Sequence, residues 1–290
     1  LTTMPDKIAR AFIHLLFIVL SLLCLIPIIL VISASLTEET NIAIHGYTLW
    51  PSKFSSFAYE YLLHDPTQIV RAYGVTIFVT VVGTALSLLI SSLLAYVLSR
   101  KDFKFRGAFS FYVFFTMLFN GGLVPTYLVM TKMLHLGNSV WALIVPYLVM
   151  PFFVLLLRTY FTEIPDSLIE CAKIEGAGEI RIFRSVILPL SLPALATVGL
   201  FIILMYWNDW FLALLYVSGK SSLYPLQYLL YAVMENLNMI KAMPMAANVV
   251  MPGETARMAM AVLATGPIMF AFLFVQRFFV KGLTLGSIKG

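Results

Sequence analysis

Charge is scarce in this chain: only 11% of its 290 residues are Asp, Glu, Lys or Arg, against about 25% in an ordinary soluble domain. With 61% hydrophobic residues and a mean hydropathy of +0.94, so few ionic groups cannot build a water-solvated surface, and lipid must solvate much of it. Cysteine is scarcer still. Cys24 and Cys171 are the only two, which excludes a disulfide framework and a thiolate zinc set. The four histidines, His14, His45, His64 and His135, stand apart with no His-Glu metal pairing, so no metal site is expected and a metalloenzyme has no basis. No Gly-rich phosphate loop ending in Lys and Ser or Thr occurs, so the usual ATP cradle is missing and the chain reads as no enzyme by itself. The net charge of +5 comes from Lys and Arg dispersed between apolar runs, with no basic face for nucleic acid.

What is present is a series of apolar runs. Stretches of about 20 apolar residues cross the roughly 30 Å hydrocarbon layer as helices. Six qualify: Ala11 to Ser35, Ala72 to Leu98, Ala108 to Met130, Ser139 to Leu157, Ala194 to Val217 and Met258 to Phe274. The first, from Ala11 to Leu36, exceeds the about 7 to 15 residue core of a cleaved signal and is read as a retained helix, although Ser33, Ala34 and Ser35 are small enough for cleavage. The segments between runs are too short for an independent soluble domain, so residues 1–290 read as a single transmembrane domain. Of the 19 Lys and Arg residues, 13 fall on one side of this alternation. The positive-inside rule then places both termini and the loops near 99–107 and 158–193 in the cytoplasm.

Between the fourth and fifth runs, residues 163–193 become charged and amphipathic. Two short helices are predicted. Pro165 suits a first helical turn, Asp166 or Ser167 can cap it, and Gly176 can end it in the left-handed conformation. A second helix runs from about Glu179 to Ile187 with Ile180, Phe183 and Ile187 on one face, stopped by Pro189 and Pro193. A surface helix pair at the membrane interface satisfies this pattern by itself. The residue types say more. Glu170, Cys171, Ala172, Glu175, Gly176 and Ala177, followed by Phe183, Val186, Leu188, Pro189 and Pro193, resemble the Glu-Ala-Ala loop of ABC importer permeases. Cys171 stands at the first Ala position of that pattern, Glu175 where Asp is frequent and Val186 where Ile is frequent.

The resemblance implies an all-α, polytopic fold of six transmembrane helices, the type I importer permease fold, in the bacterial plasma (inner) membrane. It implies that the loop at 163–193 docks in a groove on an ATP-binding subunit, with Glu170, Cys171, Ala172, Glu175, Gly176, Ala177, Phe183 and Pro189 as coupling residues. ATP and Mg would belong to two partner ATPase subunits, with no cofactor in this chain. A second homologous permease subunit and an extracytoplasmic solute-binding protein complete the assembly. The C-terminal tail at 277–290, with Phe279, Val280, Lys281, Gly282, Leu283, Thr284, Gly286, Lys289 and Gly290, resembles that of the maltose-type sugar permease, which implies docking of Lys281, Gly282, Gly286 and Lys289 between the ATPases. A frayed basic end is the plainer reading of those residues. Phe119 to Leu123 with Pro125, Thr126 and Tyr127, then Trp141 to Ile144 with Pro146, resemble permeases for complex or acidic oligosaccharides, such as aldouronate, pectin-fragment and alginate-oligosaccharide importers. An oligosaccharide is the implied cargo.

Asp209 is the ionisable residue within the runs that demands an explanation, because charge inside a bilayer marks a pathway or a buried partner. With Trp207, Asn208 and Trp210 it can line a sugar pathway, or pair with another helix while the indoles form an interfacial belt. An ion-coupled secondary transporter is the alternative class. It needs several such residues, and Asp209 stands nearly alone. The loop 218–257 is long enough to meet a binding protein or merely to join two spans.

Overall fold

The computed structural model describes residues 4–64, 66–219, 221–241 and 253–286. Helices follow in the order α1 (Met4–Ser35), α2 (Glu39–His45), α3 (Phe57–Leu62), α4 (Pro66–Ser99), α5 (Arg106–Leu118), α6 (Leu123–Leu128), α7 (Pro151–Thr162), α8 (Asp166–Ile174), α9 (Glu179–Ile182), α10 (Leu188–Leu190), α11 (Leu192–Trp207), α12 (Phe211–Tyr216), α13 (Leu226–Lys241) and α14 (Gly253–Gly286). Among the described residues the sole β feature is an isolated bridge between Thr37 and Phe54. The protein is all-α. Its chain forms two compact units, residues 1–67 with 230–267, and residues 68–229 with 268–290.

Among the described residues two helices, α1 over Arg10–Ser35 and α4, are long and apolar enough to cross a bilayer unbroken. α1 is apolar nearly all round, whereas α4 exposes Ile77, Phe78, Val81, Leu89 and Leu93 and turns Thr76, Thr80, Thr84, Ser87 and Ser91 inward. The remaining predicted runs are less simple. Ala108 to Met130 divides into α5 and a second segment, Leu123–Met133, at an angle of 109°. The break falls where Gly122 takes φ +93° and its N–H is captured by the Asn120 side chain at 2.8 Å. The fourth run opens as 3₁₀ turns (Val140–Leu143, Val145–Tyr147) and bends by 48° into α7, which has Pro151 in its first turn. Glu179–Leu190 meets α11 at 82°. Counting each bent pair as one span gives up to five among the described residues, and the sixth run lies within α14, which extends beyond Met258 to Phe274 at both ends.

In the unit built on 68–229, α7 packs against both α5 and α11, and Ile144, Val154, Leu157, Ile182, Ile187, Val198 and Ile202 are all but fully buried. Small residues Thr76, Thr80, Gly83, Thr84, Ser87, Ser91 and Ala95 form the buried stripe of α4. Helix backbones approach closely across such a stripe. Gly83 lies beneath the ring of Tyr206, and Gly199 of α11 meets Leu88.

The other unit is tied by polar contacts. Glu39, at the start of α2, accepts hydrogen bonds from the backbone N–H of Glu254 and of Thr255, each at 2.9 Å, and from the Thr255 hydroxyl at 2.7 Å. A carboxylate supplied from elsewhere in the chain thus satisfies the exposed N–H groups at the positive end of α14. Tyr47 and Arg257 both reach Glu254 beside it. Removing the carboxylate with Glu39→Ala strands two amide donors next to buried Thr255. A loss of about 1–3 kcal/mol is expected, read as a lower thermal midpoint of the detergent-solubilised protein, with Glu39→Gln falling between the variant and the parent.

Candidate functional site

The segment 163–193 folds as a helix, a tight turn and a second helical stretch. Pro165 precedes α8 without a side-chain cap. Asp166 does not cap the helix as expected; its carboxylate pairs with Lys101 at 2.5 Å. At the other end Gly176 adopts φ +78°. Its N–H donates to the Lys173 carbonyl at 3.0 Å, and the Ala177 N–H reaches back to Ala172 at 2.9 Å. This pair of reversed bonds is the Schellman closure, which consumes the last free carbonyls of α8 and fixes the direction in which the chain leaves.

The second helix departs from expectation. It starts at Glu179 as α9 but widens into a π turn over Phe183–Ile187 and continues through Pro189 to Leu190. Pro189 therefore lies inside the helix, which stops at Ser191, and Pro193 sits in the first turn of α11. Proline clashes with the carbonyl four residues earlier. The wider π turn just before it opens the ladder at that place.

Two faces result. Ile169, Ile182, Phe183 and Ile187 are buried, with Ala172, Ala177, Val186 and Leu188 packed against the core. On the opposite side Glu170, Cys171, Glu175 and Gly176 are exposed, and two large apolar side chains stand out with them, Ile174 at 86% and Ile180 at 73% exposure. Next to Ile180 an open groove of about 660 Å³ is lined by Gly178, Glu179, Arg181, Arg184 and Ser185.

Sequence reasoning missed what holds this segment in place. Lys173 on α8 lies 2.8 Å from Asp102 and 3.3 Å from Glu179; Asp102 also accepts from Arg100 at 3.1 Å. Glu179 in turn takes the hydroxyl of Tyr96, near the end of α4, at 2.5 Å. The Tyr96 ring packs on Phe183 with centroids 5.3 Å apart. The loop 100–105 and both helices are thereby laced together. Each exposed ion pair contributes only about 0–1 kcal/mol, so the lacing orients the segment more than it stabilises the fold.

The hydrogen bond from Lys173 holds the Asp102 carboxyl down at about 2. Bonding to Asp102 and then Glu179 pushes Lys173 upward, and the Tyr96 hydroxyl lowers Glu179. For the lowered carboxyls the contribution is complete above their ordinary range and is lost as pH falls through the lowered values. For the raised amine it is complete below the ordinary lysine value and is lost as pH rises through the higher one. Across neutral pH the lacing stays charged, so it is a constant fixture.

The cluster at 207–210 separates. Trp207 is buried, while Asn208 and Trp210 are exposed. Asp209 accepts the Tyr147 hydroxyl at 3.0 Å and the Leu212 N–H at 3.1 Å, which makes it a cap for α12 where the fifth run breaks. Asn208 bonds the Leu204 carbonyl at 2.8 Å and receives Gln227 at 3.4 Å. Lys281, Gly282 and Gly286 lie on α14; Lys289 and Gly290 lie outside the described residues.

A family described as the binding-protein-dependent transport system inner membrane component matches residues 3–285. The polygalacturonan/rhamnogalacturonan transport system permease protein YtcP of Bacillus subtilis is 40% identical over 99% of this chain and 100% of its own. The trehalose/maltose transport system permease protein MalG of Thermococcus litoralis is 30% identical over 94% of each chain. Among solved structures, a chain of a bacterial ABC transporter involved in import of the acidic polysaccharide alginate superposes with a TM-score of 0.78 and 28% identity, covering 96% of this chain and 99% of that one.

Proposed function

Since the chain belongs to the family of binding-protein-dependent transport system inner membrane components, we propose that it is the permease subunit of an ATP-driven importer of oligosaccharides, acidic ones foremost, and that residues 166–190 couple it to an ATPase. Relatives named for polygalacturonan and rhamnogalacturonan and for alginate support the cargo class. Its partners are a second permease subunit, two ATP-binding subunits and an extracytoplasmic solute-binding protein, with both termini in the cytoplasm and both units in one permease domain. ATP and Mg act on the partners, and the tail from Lys281 to Lys289 docks between them. In the fifth span Asn208 and Trp210 face the sugar path, Asp209 and buried Trp207 shaping it from behind.

The observation that carries the coupling assignment is the two-faced segment itself. Its inner face is buried in the core, while its outer face presents Ile174 and Ile180 to water. Large apolar side chains held out this far on a rigid turn suit insertion into a partner's groove. Arg181 and Arg184 beside them favour an acidic rim on that partner. A rigid lever transmits displacement, whereas a floppy loop would absorb it as entropy. ATP-driven closure of the ATPases then moves this lever, and the permease alternates between two packed states.

Cys171 provides the test, being exposed on the outer face. In a Cys24→Ser background of the assembled transporter, a short thiol-to-amine cross-linker at Cys171 should capture an ATPase subunit, with a yield that changes when a non-hydrolysable nucleotide is added. Absence of any ATPase adduct in a transport-competent complex would overturn the coupling assignment.

A further inference from the structure

Where α1 ends, the chain turns back and presents an unusual surface. Ile44, Tyr47, Leu49, Trp50 and Phe54 are all exposed, Trp50 at 84% and Phe54 at 70%. The segment is nevertheless well tied. The buried Ser33 hydroxyl, in the last turn of α1, donates to the Thr48 carbonyl at 2.8 Å. Thr48 in turn bonds the Trp50 carbonyl at 2.8 Å. Two backbone bonds, Glu38 N–H to Lys53 at 3.0 Å and Ser55 N–H to Leu36 at 2.8 Å, clamp the returning segment to the residues leaving α1. The backbone that carries these exposed aromatic side chains is thus fixed.

The depth of this segment follows from α1. The apolar helix Arg10–Ser35 has 26 residues, and none of its apolar stretch is buried against the rest of the chain. At about 1.5 Å per residue it is roughly 39 Å long, against about 30 Å of hydrocarbon. Its ends therefore emerge into the headgroup layers, with Arg10 at one end and Ser33 to Ser35 at the other. Thr48 is hydrogen-bonded at the level of Ser33, and Trp50, two residues on, lies within about 7 Å of it. That is the layer in which Trp and Tyr rings are most favourably solvated, an apolar body facing the acyl chains and a polar edge facing the headgroups. Lys53 lies in the same segment, its ammonium 2.6 Å from Glu38 and its side chain 70% exposed, and a lysine stem is long enough to keep its charge at the water side of such a layer.

We propose that residues 44–54 form an interfacial anchor, with Trp50 and Phe54 seated in the headgroup and upper acyl region of the bilayer at that end of α1. The anchor fixes the vertical position and rotation of a helix that has little packing of its own. It binds lipid by depth and aromatic solvation, so phosphocholine and anionic headgroups serve alike. A soluble protein docking on the same aromatics is the competing occupant. It is disfavoured because the ties at Ser33 and Leu36 hold the segment down against the helix end.

The test is fluorescence of the assembled transporter in nanodiscs of phosphatidylcholine brominated at shallow or deep acyl carbons. The chain has four Trp residues, so the spectrum of the parent minus that of Trp50→Phe isolates Trp50. Its emission should fall at least about twofold with shallow bromines, less with deep ones, and should not change when the binding protein is added. Phe54→Trp, which keeps Trp50 in place, should add a component quenched in the same order. If neither component is quenched by bromolipid, or if both respond only to the binding protein, the anchor is disproved.

Discussion

Gly83→Val is expected to abolish accumulation of folded protein in the membrane, and Gly83→Ala to lower its thermal midpoint sharply. A Cβ on Gly83 would lie 2.6, 2.8 and 2.9 Å from Cζ, Cε2 and Cε1 of Tyr206, well inside van der Waals contact. The ring cannot simply swing aside. It is 2% exposed, its hydroxyl donates to the Ile144 carbonyl at 2.9 Å, and its edge meets Tyr147 with centroids 5.8 Å apart. Forcing it away adds an overpacking cost of about 1–3 kcal/mol to about 1–3 kcal/mol for the stranded buried hydrogen-bonding groups.

The same helix contains its own control. Nothing lies within 4 Å of a Cβ added at Gly74, so Gly74→Ala should be neutral or stabilising by up to about 1 kcal/mol through reduced unfolded-state entropy. If the two alanine variants melted alike, the close approach of α4 and Tyr206 would be refuted. Tyr206→Leu should recover part of the Gly83→Ala loss, because a shorter side chain vacates the space a methyl needs. That recovery is a coupling between two touching residues, which distant sites do not show.

The apolar runs were readable because a span must be continuous in hydropathy, and the closing turn at Gly176 because its chemistry is local. The breaks inside the third and fifth runs were not. Residues 119–122 and 208–210 interrupt the helix through backbone conformation and a capping carboxylate, neither of which lowers the hydropathy of the surrounding window enough to show. Asp209 illustrates the cost. Its charge is plain in the sequence, yet its bond to the Leu212 N–H requires knowing that a new helix begins at Phe211. The lacing through Asp102 was invisible for a different reason: Lys173 lies 71 residues from it, and a charged loop residue has many prospective partners until the fold selects one. Pro189 reads as a stop in the sequence, yet the π turn over Phe183–Ile187 relieves the clash that makes proline a helix breaker.

The coupling segment yields the other large effect. Gly176→Pro should reduce uptake by reconstituted transporter more than about tenfold while membrane insertion stays near normal and the ATPases still hydrolyse ATP. Proline fixes φ near −65°, whereas the turn requires +78° at this position. It also deletes the N–H that bonds the Lys173 carbonyl. Both halves of the Schellman closure are then lost, and the end of α8 unwinds at the residue that sits between Asp102 and Glu179. The lever remains attached but has no fixed angle. Gly176→Ala separates conformation from contact, since nothing lies within 4 Å of the added methyl. It meets only the left-handed backbone cost of about 1–2 kcal/mol and should retain most of the uptake. A transporter carrying proline at this position that still moved substrate at the parental rate per ATP would show that force enters the permease elsewhere.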